Sequence, residues 1–107
     1  MPTVTPPLPD LVLYTRAGCG LCTEARGAID LLLADREARG LPIPTLMVRD
    51  IEADPELHRA LFERIPVVEL GPGRLELVTS LSRLRRLLED VIDGPRPAVG
   101  LASEPRA

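Results

Sequence analysis

The chain has two cysteines, Cys19 and Cys22, separated by Gly20-Leu21. A C-x-x-C pair supports two chemistries. As a dithiol it opens and closes a disulfide by thiolate exchange, and as two thiolates it supplies half of a tetrahedral metal site. A closed zinc site within one chain is short of ligands, because the single histidine, His58, falls on a different predicted helix and reads as a surface imidazole. No metal ligands are therefore assigned. A metal or iron-sulfur cluster bridging two chains through the same cysteines stays open as an alternative.

The neighbours of the pair favour exchange. A helix beginning at Gly20 puts Cys19 at its N-cap, where unpaired backbone N–H groups and the helix dipole favour thiolate over thiol and lower its pKa. Arg16, three residues earlier, brings a fixed positive charge toward the same sulfur. Gly18 and Gly20 flank Cys19 with minimal side chains and keep it accessible. Cys22 opens an apolar stripe and should face inward. Cys19 is thus the expected attacking sulfur, and Cys22 the one that resolves a mixed disulfide.

The elements that must hold this pair follow from periodicity. Leu11 to Thr15 reads as a buried strand, and Cys22, Ala25, Ile29, Leu32 and Leu33 recur at helical spacing up to a stop at Gly40, predicting a helix over 20–39. Thr45 to Val48 is a second strand. Asp54-Pro55-Glu56 starts a short helix, lined by Leu57, Ala60 and Leu61. Ile65-Pro66 leads into a strand over 67–70, Gly71-Pro72-Gly73-Arg74 reads as a turn, and 75–78 returns as a hairpin. Thr79 or Ser80 caps a last helix with the stripe Leu81, Leu84, Leu87, Leu88, Val91 and Ile92, ended by Asp93-Gly94-Pro95. The order is βαβαββα: an α/β fold with a mixed four-stranded sheet flanked by three helices.

At 107 residues and 45% hydrophobic content the chain supports one domain with a modest core. Four prolines in 1–10 and three in 94–107 mark tails at both ends, leaving the domain at 11–92 and a proline-containing tail over 93–107. A net charge of −3 and 2% aromatic residues argue against a nucleic-acid partner. All thirteen basic residues are arginine, which excludes lysine-based catalysis. Arg83, Arg85 and Arg86 lie among Glu89, Asp90 and Asp93, and read as a solvated face. With no leader or long apolar span, neither secretion nor a membrane partner is expected. A cytoplasmic monomer is the reading, and in that reducing setting a C-x-x-C is catalytic or metal-binding rather than a staple.

The stretch from Tyr14 to Cys22, the βαβαββα order and the Ile65-Pro66 step together resemble the glutaredoxin-like branch of the thioredoxin superfamily, across nearly the whole domain. Asp50 to Pro55 is similar to the corresponding link in small glutaredoxin-like proteins. The resemblance implies a thioredoxin-like fold and a thiol-disulfide oxidoreductase with Cys19 as nucleophile and Cys22 as resolving thiol. It also implies a cis-proline at Pro66, with the backbone of Ile65 free to pair with an extended substrate, and Arg16 near the thiolate and a glutathione carboxylate. Gly20 and Leu21 stand where glutaredoxins carry Pro-Tyr, and count with the substrate-contacting residues. The Gly-Gly and acidic element that glutaredoxins use for glutathione is replaced by Val78-Thr79-Ser80-Leu81-Ser82, leaving Ser80 as N-cap or part of an anion site. No bound cofactor is implied; glutathione enters as reductant or co-substrate. The implied partners are a disulfide-containing protein or glutathionylated substrate, and a reductase or glutathione as electron donor. A non-catalytic interaction domain on the same fold is the third reading.

Overall fold

The computed structural model describes residues 8–94. Its elements are β1 (Leu11–Thr15), α1 (Gly20–Ala38), β2 (Leu46–Asp50), α2 (Pro55–Leu61), β3 (Val67–Leu70), β4 (Gly73–Glu76) and α3 (Leu81–Leu88), in the expected βαβαββα order. The expected tails lie outside the described residues, apart from 8–10 and 93–94. One sheet runs β2-β1-β3-β4, with β1 and β2 parallel and the other neighbours antiparallel.

The two central strands are the most apolar because both of their faces are covered. Leu11, Leu13, Val68 and Leu70 pack with Ala25, Ile29 and Leu32 of α1 and with Leu84, Leu87 and Leu88 of α3. Tyr14 and Val67 pack on the other face with Ile51 and with Leu61 of α2. Full burial of each large aliphatic side chain contributes about 1.5–3 kcal/mol. Ala60, expected with Leu57 and Leu61 on the inner face of α2, is exposed, as is Leu81 at the start of α3. The edge strand β2 carries Met47, Val48, Arg49 and Asp50, all exposed.

Caps fix the helix ends. Asp54 Oδ1 accepts from the Glu56 and Leu57 amides at the start of α2. Beyond α1, Gly40 takes φ +70, the Leu41 N–H reaches the Arg36 carbonyl at 2.9 Å, and the Gly40 N–H reaches that of Glu37 at 3.1 Å. This is the Schellman arrangement, and it turns the chain toward β2.

Four further features depart from expectation. The hairpin is tighter than a four-residue turn: Leu70 pairs with Gly73, so the loop is Gly71-Pro72 alone and β4 begins two residues early. Gly71 at φ +55 followed by a proline suits a two-residue turn with glycine first. β4 ends at Glu76, after which Leu77 adopts φ +52 although its side chain is 58% exposed. The stripe of α3 passes beyond Leu88 into a π-helical turn, Glu89–Asp93.

The fourth departure is Arg36, which occupies a core position of α1 and is only 5% exposed. Its Nε donates to the Pro42 carbonyl at 2.7 Å, and its two terminal nitrogens grip Asp93 at 2.7 and 3.3 Å. The guanidinium thereby ties the end of α1 to the turn after α3.

Candidate active site

The cysteine pair sits where β1 hands over to α1. Gly18 at φ +78 closes the turn, and the Cys19 N–H donates to the Arg16 carbonyl at 3.4 Å. Cys19 is the N-cap of α1. Its Sγ accepts a hydrogen bond from the Cys22 N–H at 3.1 Å, while its carbonyl takes the Thr23 N–H at 3.2 Å as the first intrahelical bond. Cys19 and Cys22 are joined as a disulfide, with their Cα atoms 5.2 Å apart. Cys22 is 3% exposed and Cys19 is partly exposed, so the sulfurs are unequal in the expected sense. Among the described residues no group of three or more His, Cys, Asp or Glu side chains is placed to hold a metal ion.

The expected substrate-contacting residues divide into two groups. Arg16 and Gly20 line a cleft of about 450 Å³ beside the disulfide, together with Thr15, Thr23, Arg26 and Val48. Leu21, half exposed, is not part of that cleft, and neither are Ile65, Pro66 and Ser80. Ile65 instead packs on the other side of the cysteines, in the cluster formed by Cys22, Tyr14 and Ile51. The disulfide therefore has two flanks, the cleft toward β2 and the Ile65 loop toward α2.

The Ile65–Pro66 peptide bond is cis, as the resemblance implies. Both residues are buried, and the Pro66 carbonyl is taken by the Val78 N–H at 3.3 Å. Pairing through Ile65 is narrower than expected, because its N–H already donates to the Leu61 carbonyl at 3.1 Å, where α2 ends. Only the Ile65 carbonyl accepts no hydrogen bond from the described residues. Ser80 acts as the N-cap of α3, its Oγ accepting from the Arg83 N–H at 3.2 Å and lying 3.0 Å from Ser82 Oγ.

Arg26 stands outside the set expected from sequence. Its signal is spacing: it lies four residues after Cys22, one turn further along α1. A second unexpected cluster lies on the α2 face of the sheet. The Tyr14 hydroxyl donates to Glu69 at 3.0 Å, Arg74 pairs with Glu69 and Glu76, and Arg49 lies over the Tyr14 ring at 6.0 Å. Burial, and then the Glu69 carboxylate, push the Tyr14 phenol above its ordinary pKa. His58 is half-buried and stacks on Phe62 at 5.4 Å.

Sheet order, helix placement and a disulfide at the first helix N-terminus define a thioredoxin-like α/β protein with a C-x-x-C pair. Residues 10–91 match the family model described as Glutaredoxin-like domain (DUF836), and the chain belongs to that family. It is similar to the X-ray structure of the structural genomics target protein XcR50 from X. campestris, at 28% identity and a TM-score of 0.61, over 75% of this chain and 96% of that one. It is also similar to the solution NMR structure of protein Ne2328 from Nitrosomonas europaea, at 28% identity and a TM-score of 0.50, over 71% and 81%. No curated protein matches the chain. Among the described residues no helix is long and apolar enough to cross a membrane.

Proposed function

We propose that the protein is a small thiol-disulfide oxidoreductase working through Cys19 and Cys22. The observation that carries this reading is the pair itself: a disulfide on a helix N-terminus, one sulfur partly exposed and receiving a backbone N–H, the other buried one turn away. In the dithiol form, the Cys19 thiolate attacks one sulfur of a substrate disulfide, breaking that bond and releasing the first substrate thiol. Cys22, as thiolate, then attacks Cys19 Sγ and releases the second. The substrate disulfide is reduced, and the protein is left with a Cys19–Cys22 disulfide.

The substrates of this reading are disulfide-containing proteins and glutathione mixed disulfides, with a reductase or glutathione returning the electrons. The Ile65 carbonyl offers one acceptor for an extended partner. The mechanism needs no bound cofactor, and the net charge of −3 suits neither nucleic acid nor an anionic membrane. A monomer in the cytoplasm, where an exchanging C-x-x-C is kept reduced, completes the reading. The test couples reduction of a glutathione mixed disulfide to NADPH through glutathione reductase or, separately, thioredoxin reductase. Turnover with one of them identifies the branch. Cys19→Ser abolishes it, and Cys22→Ser accumulates a mixed disulfide on Cys19; a Cys19→Ser variant with the wild-type rate overturns the reading.

A further inference from the structure

We infer that the free edge of β4 and the groove between it and α3 form a docking site for an extended acidic segment of a partner protein, which joins the sheet as a further strand. The site lies apart from the cysteines, and the inference stands independently of the oxidoreductase reading.

The backbone of β4 supplies one half of the site. β4 is an edge strand, paired only with β3. Leu70 and Gly73 bracket the two-residue turn and so form a hydrogen-bonded pair, and such pairs alternate along an antiparallel ladder. Leu75 therefore turns its N–H and carbonyl toward β3, while Arg74 and Glu76 turn theirs away from the sheet. The Leu77 N–H keeps the inward direction and donates to the Arg64 carbonyl at 2.9 Å. The register runs unbroken from Gly73 to Glu76 with no proline in it. The side chains of Arg74 and Glu76 lie on the α2 face, where they pair with each other and with Glu69 and Arg64. Edge charges that would repel another strand are thus matched and kept out of the groove.

The groove supplies the other half. Its volume is about 340 Å³, and its lining is Leu75, Ser82, Arg83, Arg86, Leu87 and Asp90. A side chain at Gly73 would run into Leu87 and lie against Val91, so the Gly73 end of β4 sits beside the later turns of α3. The Glu76 end, from which the chain turns into Leu81, sits beside the first turns. Strand and helix are therefore antiparallel walls of one trough, with Leu75 and Leu87 as its apolar floor.

Charge selects the occupant. Arg83 and Arg86 are exposed, one turn apart, and make no ion pair among the described residues. Arg85 faces instead toward the end of α1. A strand in the trough meets two unmatched positive charges at its Glu76 end and Asp90 at its Gly73 end. A segment running antiparallel to β4, with an acid followed two positions later by an apolar residue, turns both side chains inward. The acid then lies at the arginines and the apolar residue over the two leucines. The backbone of Arg74 and Glu76 gives affinity, and the inward side chains give specificity. Neither cysteine lines the trough, so a docked partner leaves the disulfide accessible.

The experiment titrates the isotope-labelled full chain with the capped peptide Thr-Glu-Thr-Val-Thr and with Thr-Gln-Thr-Val-Thr, following amide shifts and hydrogen exchange by NMR. The first peptide shifts and protects the Arg74 and Glu76 amides, binds at least about five-fold tighter than the second, and loses that advantage in about 0.5 M salt. Arg83→Gln and Arg86→Gln each reduce the preference, and the pair removes it; Arg85→Gln leaves it in place. Equal binding of the two peptides overturns the inference, as does a lack of shifts at Arg74 and Glu76 with about 5 mM peptide. An equal loss of preference in Arg85→Gln would report only net charge and also overturns it. So do shifts of the same two amides with protein concentration alone, which would give the edge to a second copy of the chain.

Discussion

The backbone N–H of Cys22 donates to the Sγ of Cys19 at 3.1 Å, so the turn of helix that joins the two sulfurs also solvates the outer one. On reduction the same donor faces a thiolate, and a hydrogen bond to an ionised acceptor is stronger than one to a neutral acceptor. Cys22 has no equivalent advantage. It lies in the apolar cluster with Tyr14, Ile51 and Ile65, where burial disfavours charge.

Alkylation should report this asymmetry directly. In the reduced protein, limiting iodoacetamide at neutral pH labels Cys19 at least about ten-fold more than Cys22, because reactivity follows thiolate character and exposure. Peptide mapping reads the ratio. Equal labelling would show that the helix N-terminus does not distinguish the sulfurs.

Arg36 bears on stability rather than chemistry. Replacing it with alanine leaves Asp93 without its bidentate partner and the Pro42 carbonyl without its 2.7 Å donor. The Asp93 side chain is 21% exposed, so water recovers part of the loss. Arg36→Ala is expected to lower the unfolding free energy by about 2–4 kcal/mol. Urea denaturation measures this; a loss below about 0.5 kcal/mol would class the pair with surface ion pairs.

How far the sequence could be read depended on whether the deciding interaction was local. β1, α1 and the unequal placement of the two cysteines are legible because apolar spacing and the N-cap position lie within one contiguous stretch. The start of β4 is not legible, because Gly71-Pro72 closes the hairpin in two residues, whereas Gly73-Arg74 also reads as turn. Arg36 was hidden because a guanidinium at a core position makes sense only once Asp93, distant in sequence, arrives beside it. The cleft could not be foreseen either, since Arg26 and Val48 meet around the disulfide only when β2 pairs with β1. The Ile65 N–H was lost to α2 for the same kind of reason: the helix end reaches forward and takes it.

Tyr14 gives the fold an alkaline limit. Its phenol is buried and donates to Glu69, and both circumstances favour the neutral form, raising its pKa in the folded state above the ordinary tyrosine value of 10.0. The folded protein then keeps a proton that the unfolded chain gives up, and stability falls with pH wherever the unfolded state binds fewer protons. The Tyr14 contribution is therefore complete below about pH 10 and is lost as pH rises through the higher folded pKa. Tyr14→Phe removes the titrating proton together with the Glu69 hydrogen bond, costing about 1 kcal/mol at pH 8. Its urea midpoint should then fall less steeply than that of the wild type between about pH 9.5 and 11. Parallel slopes for the two proteins over that range would show that the phenol titrates alike in the folded and unfolded chains.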